Sequence, residues 1–362
     1  MKNLILSLFL KNKPSGDYLS ETLNKVSRSF AIVIPLLDKP LDKYISVAYL
    51  ICRVADNIED CHENSEWKNK RFIELKNIIT GESDYERTLK KWSQYQWKGL
   101  NEDEVELMTY DGGHPNWALF HDFPIEIKLV LTKWIFEMIE GMMRVVNKVG
   151  SPDFSNYKSF NVLKSEQDYN KYCYFVAGTI GYLATELITI HYKLSKVESK
   201  VLQENSEASG RALQKTNIIK DFKEDIENGI SFIPLSWHKE VDFSSLSLKG
   251  AHEEWKSKVL KDALDELEKA MNYVMDVPVH IAGYRAACLM SFLPAYETIY
   301  FAFKNIDNLF TNDHYVKISK LTFLQCHKQA QKFAKSNEAI KEHLSFLKKR
   351  FEKFDVNLSI AV

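Results

Sequence analysis

Two short stretches hold the residues best suited to chemistry. Asp56, Glu59 and Asp60 stand in DNIED (56–60), and Asp221, Glu224 and Asp225 stand in DFKED (221–225), so the D-x-x-E-D spacing occurs twice. On a helix, positions i and i+4 share a face one turn apart, so the two aspartates of each pair point the same way. Like charges at that spacing repel, and burying a charge is costly. The residues before the first pair, YISVAYLICRVA (44–55), are strongly apolar. An apolar helix ending in clustered carboxylates calls for a positive partner. Mg²⁺ suits the role, because it takes oxygen ligands, keeps several waters and bridges to phosphate. In the second stretch Gln214 and Asn217 extend the polar stripe backwards from Asp221, while Leu213, Ile218, Ile219 and Phe222 fill other faces. Two such helices set opposite each other would make a cavity lined with metal ligands. The plainer reading of one copy is a solvated helix end, as charge runs usually are. Repetition after apolar helices weighs against it.

Other side chains extend this chemistry. Arg53 precedes Asp56 by three residues, near the same face, and suits bidentate phosphate contact or an ion pair with Asp56 or Glu59. Lys25, Ser27, Arg28 and Ser29 in KVSRSF (25–30) supply cationic and hydroxyl donors on a predicted helix; an amphipathic helix with exposed cations is the alternative. Tyr49 stands two turns before Asp56 and could face the same cavity. The small residues Ala177, Gly178 and Gly181 suggest close helix approach or room for an apolar chain.

The elements that must carry these residues are helical. Gly is 13 and Pro 9 in 362 residues, and long stretches follow the helical period. Helices are expected near 17–33, 39–61, 66–79, 123–148, 166–194, 197–227, 250–276, 279–304 and 315–352. The stretch 82–122 is the least regular and reads as a loop with short helices. No alternating strand run, solenoid period or low-complexity linker stands out. The expectation is one all-α domain over 1–362, with an N-terminal extension at 1–16. Lys plus Arg is 48 against Asp plus Glu 49, which argues against a general nucleic-acid binder. Five scattered cysteines with no C-x-x-C pair indicate neither a disulfide framework nor a thiolate zinc site and fit a reducing cytoplasm. MKNLILSLFL (1–10) is too short to span a bilayer and reads as a packed or surface-lying helix. The C-terminal DVNLSIAV reads as no anchor.

KVSRSF (25–30), YLICRVADNIED (49–60), YCYFVAG (172–178) and LQKTNIIKDFKED (213–225), followed by Phe232-Ile233-Pro234, together resemble the squalene and phytoene synthases, with wording nearest the squalene synthase branch. The motifs keep the family's order over about residues 20–310. The resemblance implies the all-α isoprenoid synthase fold with a central cavity. It implies head-to-head condensation of two farnesyl diphosphates, through presqualene diphosphate, to squalene, with Mg²⁺ and NADPH. On that reading Asp56 and Asp60 hold Mg²⁺ on one diphosphate, and Asp221 and Asp225 with Asn217 do so on the other. Glu59 and Glu224 are further ligands or supports. Lys25, Ser27, Arg28, Ser29, Arg53, Gln214 and Asn217 contact diphosphate. Tyr172 is the first choice for cation stabilisation and proton transfer, and Tyr49 the second. Phe30, Met143, Val176, Ala177, Gly178, Leu183, Leu213 and Met290 line the prenyl pocket, though core packing explains them equally well.

No G-x-G-x-x-G follows a strand, so NADPH needs a site peculiar to the helical fold. Lys317 and Lys320 in VKISK (316–320) are its candidates, and here the chain departs from the family. Ser319 stands where V-K-I-R-K has Arg, and MSFLPAY (290–296) replaces a pattern like F-C-A-I-P-Q. These differences fall on the reductive half-reaction. The rival readings are a chain that stops at presqualene diphosphate or makes dehydrosqualene or phytoene, a head-to-tail prenyltransferase or terpene cyclase, and a non-catalytic helical binding module. Peripheral membrane contact without an anchor is expected, because the product is apolar.

Overall fold

The computed structural model describes residues 18–27, 29–147, 154–157, 160–238, 253–310 and 316–354. The expectations for 1–10, for Arg28 and for the C-terminal DVNLSIAV lie outside the described residues. Backbone contacts group the chain into two compact units, one of residues 1–35 and 39–128, the other of 36–38 and 129–362.

The first unit is built of α1 (Tyr18–Val26), α2 (Phe30–Val33), α3 (Leu41–Asp60), α4 (Ser65–Thr80), α5 (Tyr85–Trp92), α6 (Glu102–Met108), α7 (Tyr110–His121) and the start of α8 (Ile125–Asn147). The apolar face of α3 supplies its core, with Val47, Leu50, Ile51, Val54, Ala55 and Ile58 all buried. The segment 82–122 is more regular than its sequence suggests. Asp84 accepts a bond from the Glu86 amide, Asn101 and Glu104 cap α6 reciprocally, and Thr109 caps α7. Its tryptophans turn inward: Trp92, Trp97 and Trp117 are buried, and the rings of Trp92 and Trp97 meet edge-on at 5.6 Å.

The second unit continues α8 and adds α9 (Glu166–Cys173), a π-helical turn (Tyr174–Gly178), α10 (Thr179–His191), α11 (Lys196–Glu227), α12 (Glu253–Asp276), α13 (Ala282–Lys304), α14 (Lys320–Phe333) and α15 (Asn337–Glu352). Gly181 and Gly210 let helices approach closely: a Cβ at 181 would lie 1.9 Å from the Ser206 carbonyl oxygen, and one at 210 would lie 1.9 Å from that of Ala177. A small sheet also appears, which no alternation in the sequence announced. β1 (Phe154–Tyr157) pairs antiparallel with β2 (Phe160–Leu163), and β2 pairs parallel with the two-residue β3 (Ile230–Ser231).

Two predicted helices are corrected. The expected helix 17–33 is interrupted between Val26 and Phe30, so KVSRSF spans a break; Ser27 leaves the helix and its Oγ accepts from the Phe30 amide at 3.1 Å. The expected helix 315–352 is two helices, because the Ser336 hydroxyl accepts from the Ala339 amide and starts α15 afresh.

Candidate active site

In the first unit the acidic motif occupies the end of α3, and no basic residue stands in that last turn. A helix C-terminus carries partial negative charge, so three carboxylates there are doubly disfavoured. Burial raises Asp56 above the usual aspartate range, against the pull of Arg53. Glu59 is held well above its usual range by burial, then by Asp60 and Asp56. Asp60, though exposed at the surface, is pushed up to about 6 by crowding and by the charge of Asp56. No spacing in the sequence points to Glu104, whose backbone oxygen accepts from Asn57 Nδ2 at 3.1 Å and whose negative charge adds to the cluster.

Cations answer only in part. Arg53 Nη1 lies 3.7 Å from Asp56 Oδ2, and its Nη2 donates to the Tyr49 hydroxyl at 3.4 Å. The Tyr49 ring in turn meets Phe30 at 4.9 Å, so Phe30, Tyr49, Arg53 and Asp56 form one connected run. Lys68 Nζ donates to the Glu59 carbonyl, closing the helix end. Lys25 instead bonds Glu106 at 2.6 Å in an exposed ion pair, and Ser29 is exposed with no capping bond.

In the second unit the acidic motif again falls at a helix C-terminus, the end of α11, with no basic residue in its last turn. Lys220 Nζ lies 3.1 Å from Asp221 Oδ2 and donates to Asn217 Oδ1 at 3.0 Å. Gln214, Asp221 and Asp225 are half-buried, and Asn217 and Glu224 are exposed. Each motif therefore pairs its first aspartate with a cation of its own helix. Beneath the stripe, Lys215 is buried and bonded to Asp262 at 2.8 Å, with Glu266 at 3.7 Å. Arg211 joins Glu266 to Glu207. Sequence reasoning missed this network, since Asp262 and Glu266 come from α12 and share no spacing with the motif.

Tyr172, 8% exposed, stands near the end of α9, which a Ser165–Asp168 capping box begins. Its ring stacks on Phe232 at 4.3 Å and 16°. Of the expected pocket residues, Gly178, Leu183 and Met290 are buried, while Met143, Val176, Ala177 and Leu213 are half-buried. A polar surface recess of about 580 Å³ takes in Glu166, Asn170, Tyr174, Glu207 and Arg211 and none of those residues. Gln167 and Lys171 complete its lining, so the recess runs beside α9 without reaching Tyr172. Lys317 and Lys320 are exposed, and Ser319 caps α14 by accepting from the Thr322 amide at 3.0 Å.

Among the described residues no three His, Cys, Asp or Glu side chains gather into a metal cage. The donors are carboxylate pairs one turn apart. Mg²⁺ is usually held by one or two carboxylates with water and substrate phosphate, so this donor set fits it.

A family profile described as squalene/phytoene synthase matches residues 23–322. This chain is a member of the squalene/phytoene synthase family. The match takes in both acidic motifs, Tyr172, Phe232 and the Lys317–Lys320 segment. Squalene synthase ERG9 of Candida albicans is 32% identical over 230 residues, 61% of this chain and 46% of that protein. Squalene synthase ERG9 of Saccharomyces cerevisiae is 30% identical over 319 residues, 83% of this chain and 64% of that protein. The chain thus spans 46% to 64% of the length of these squalene/phytoene synthase relatives. Among solved structures, a ligand complex of TcSQS superposes with a TM-score of 0.75 at 22% identity, covering 95% of this chain and 93% of that one. A dehydrosqualene synthase with ligand gives 0.59 at 20% identity, covering 88% and 95%. The all-α isoprenoid synthase fold expected from the motifs is the fold observed.

Proposed function

We propose that this chain joins two farnesyl diphosphates head to head, through presqualene diphosphate, to squalene. The observation that carries the reading is the doubled D-x-x-E-D motif, each copy ending its own helix with no basic residue in the last turn, and the first with Glu59 and Asp60 driven up by burial and neighbouring carboxylates. Asp56 and Asp60 would hold Mg²⁺ at one diphosphate; Asp221 and Asp225, with Asn217, would hold it at the other. Glu59 and Glu224 act as further ligands or hold the ligating carboxylates in place. Bound there, Mg²⁺ supplies positive charge to the departing diphosphate. Arg53 and Lys220, each resting on the first aspartate of its motif, would be placed to contact phosphate oxygens of a diphosphate held there. Gln214, Ser27, Ser29, Lys25 and Arg28 complete the polar contacts. Tyr172 presents an aromatic face to the allylic cation and a hydroxyl that can move a proton; Tyr49, hydrogen-bonded to Arg53, is the second candidate. Val176, Ala177, Gly178, Leu183, Leu213, Met290 and Phe30 enclose the prenyl chains. The whole chain is read as one catalytic domain.

NADPH would supply hydride to the second half-reaction, with Lys317 and Lys320 as the cations nearest to hand by motif. Ser319 favours a second reading. Its hydroxyl is committed to capping α14, and it stands where the family has an arginine, so the chain could stop at presqualene diphosphate or yield dehydrosqualene. For location we propose peripheral contact with a membrane. Two helical stretches, Glu166–His191 and Ala282–Lys304, have the length and apolarity to cross a bilayer, yet they are 50% and 67% buried within the fold, as core helices are.

Incubation of the protein with farnesyl diphosphate, Mg²⁺ and NADPH, followed by product analysis, tests this. Squalene is expected, with presqualene diphosphate accumulating when NADPH is omitted. Asp56→Asn and Asp221→Asn are each expected to lower turnover by about a hundredfold or more. Normal turnover in both variants would favour a binding module or a different site.

A further inference from the structure

The stack of Tyr172 on Phe232 is a close contact to which the reaction chemistry gives no role. Phe232 lies on a strap, residues 229–237, that leaves the end of α11 at Gly229, whose φ of +74° suits glycine. The strap is fixed along its length to the approach and first turns of α9. The Asn161 amide donates to the Gly229 carbonyl at 2.9 Å, and the Ser236 amide donates to the Lys164 carbonyl at 3.2 Å. Trp237 Nε1 donates to Glu166 Oε2 at 3.0 Å, and its ring meets Tyr169 at 5.3 Å. Phe232 sits between the strand pairing at Ser231 and the turn at Leu235–Trp237, so its backbone is held on both sides.

We propose that Phe232 is a positioning residue for Tyr172. A tyrosine hydroxyl lies on the axis of its ring, so a ring flip leaves it in place, whereas a change of χ1 swings it to another site. A nearly parallel neighbour at 4.3 Å blocks that swing on one side. The strap follows directly on the helix that carries Asp221 and Asp225, so a short length of chain links the tyrosine's neighbour to the acidic motif. The role of Tyr172 in turnover rests on the function proposed above; the stack itself does not.

The experiment has two arms. The first is a double-mutant cycle on turnover of farnesyl diphosphate with Mg²⁺. Phe232→Leu is expected to lower kcat about tenfold with KM changed less than about twofold, and Phe232→Tyr, which keeps a flat ring, to restore it. In a Tyr172→Phe background Phe232→Leu should cost nothing further. An equal loss in that background, or equal damage from Phe232→Tyr, overturns the proposal. The second arm needs no activity. In ¹³C-tyrosine NMR the Tyr172 ring signal, assigned by its absence in Tyr172→Phe, should lose its ring-current shift in Phe232→Leu and keep it in Phe232→Tyr. A Tyr172 signal unmoved in folded Phe232→Leu overturns the proposal. If wild-type protein makes no product from farnesyl diphosphate, the proposed function fails and the NMR arm alone decides the stack.

Discussion

The carboxyl of Asp60 is caught between crowding, the charge of Asp56 and the negative end of α3, and it titrates near 6 rather than at the 3.8 of a free aspartate. Between those values the folded chain holds more protons than the unfolded chain. Stability therefore falls as pH rises through that window, and the cost persists above it. Asp60→Asn is expected to raise the thermal midpoint of metal-free protein at pH 7 and to leave it nearly unchanged below the window. A lower midpoint at pH 7 would refute this. Millimolar Mg²⁺ should reverse the order, stabilising wild type more than the variant. At this scale the aspartates and Arg53 were legible, because one-turn spacing fixes which residues of a helix share a face. Lys68 and Glu104 were not, since their partners lie on other helices. Lys25 shows the same limit: its ion pair with Glu106 crosses most of the first unit's sequence, and no periodicity encodes it.

The helices were legible where the helical pattern runs long, as in α3, α8 and α11. Small residues also announced close packing, and Gly181 bears this out most sharply. A methyl group there would meet the Ser206 carbonyl oxygen at 1.9 Å, and backbone cannot yield as a side chain can. Gly181→Ala is expected to destabilise by about 1–3 kcal/mol, read as a lower urea midpoint with m unchanged. An unchanged midpoint would mean that α10 and α11 shift apart freely. Three features of this scale were hidden. The π-helical turn at Tyr174–Gly178 leaves no mark on side-chain periodicity. The strands are too short to alternate, and β3 pairs only two residues. The break at Ser336 needed its capping bond to be seen, because Ser within a long helical pattern is common.

Across the whole molecule, composition and the ordered motifs sufficed for an all-α fold of the isoprenoid synthase kind. What they could not supply is the buried polar framework that holds distant elements in the second unit. Arg285 is its centre. Fully buried, it donates to the carbonyls of Val274, Val277 and Ala334 and to Asn337 Oδ1, and so joins the end of α12 to the joint between α14 and α15. Arg285→Met would leave those acceptors bare and is expected to cost about 3 kcal/mol or more in urea unfolding. A cost under about 1 kcal/mol would show that water satisfies them instead. The pairing of Val162 with Ser231 has a different kind of consequence. It makes the intervening chain, with Tyr172 near one end and Asp225 near the other, a closed ring of backbone. Thermal wandering at the two ends is then not independent, and a ligand that stills the aspartates stills the phenol at little added entropic expense.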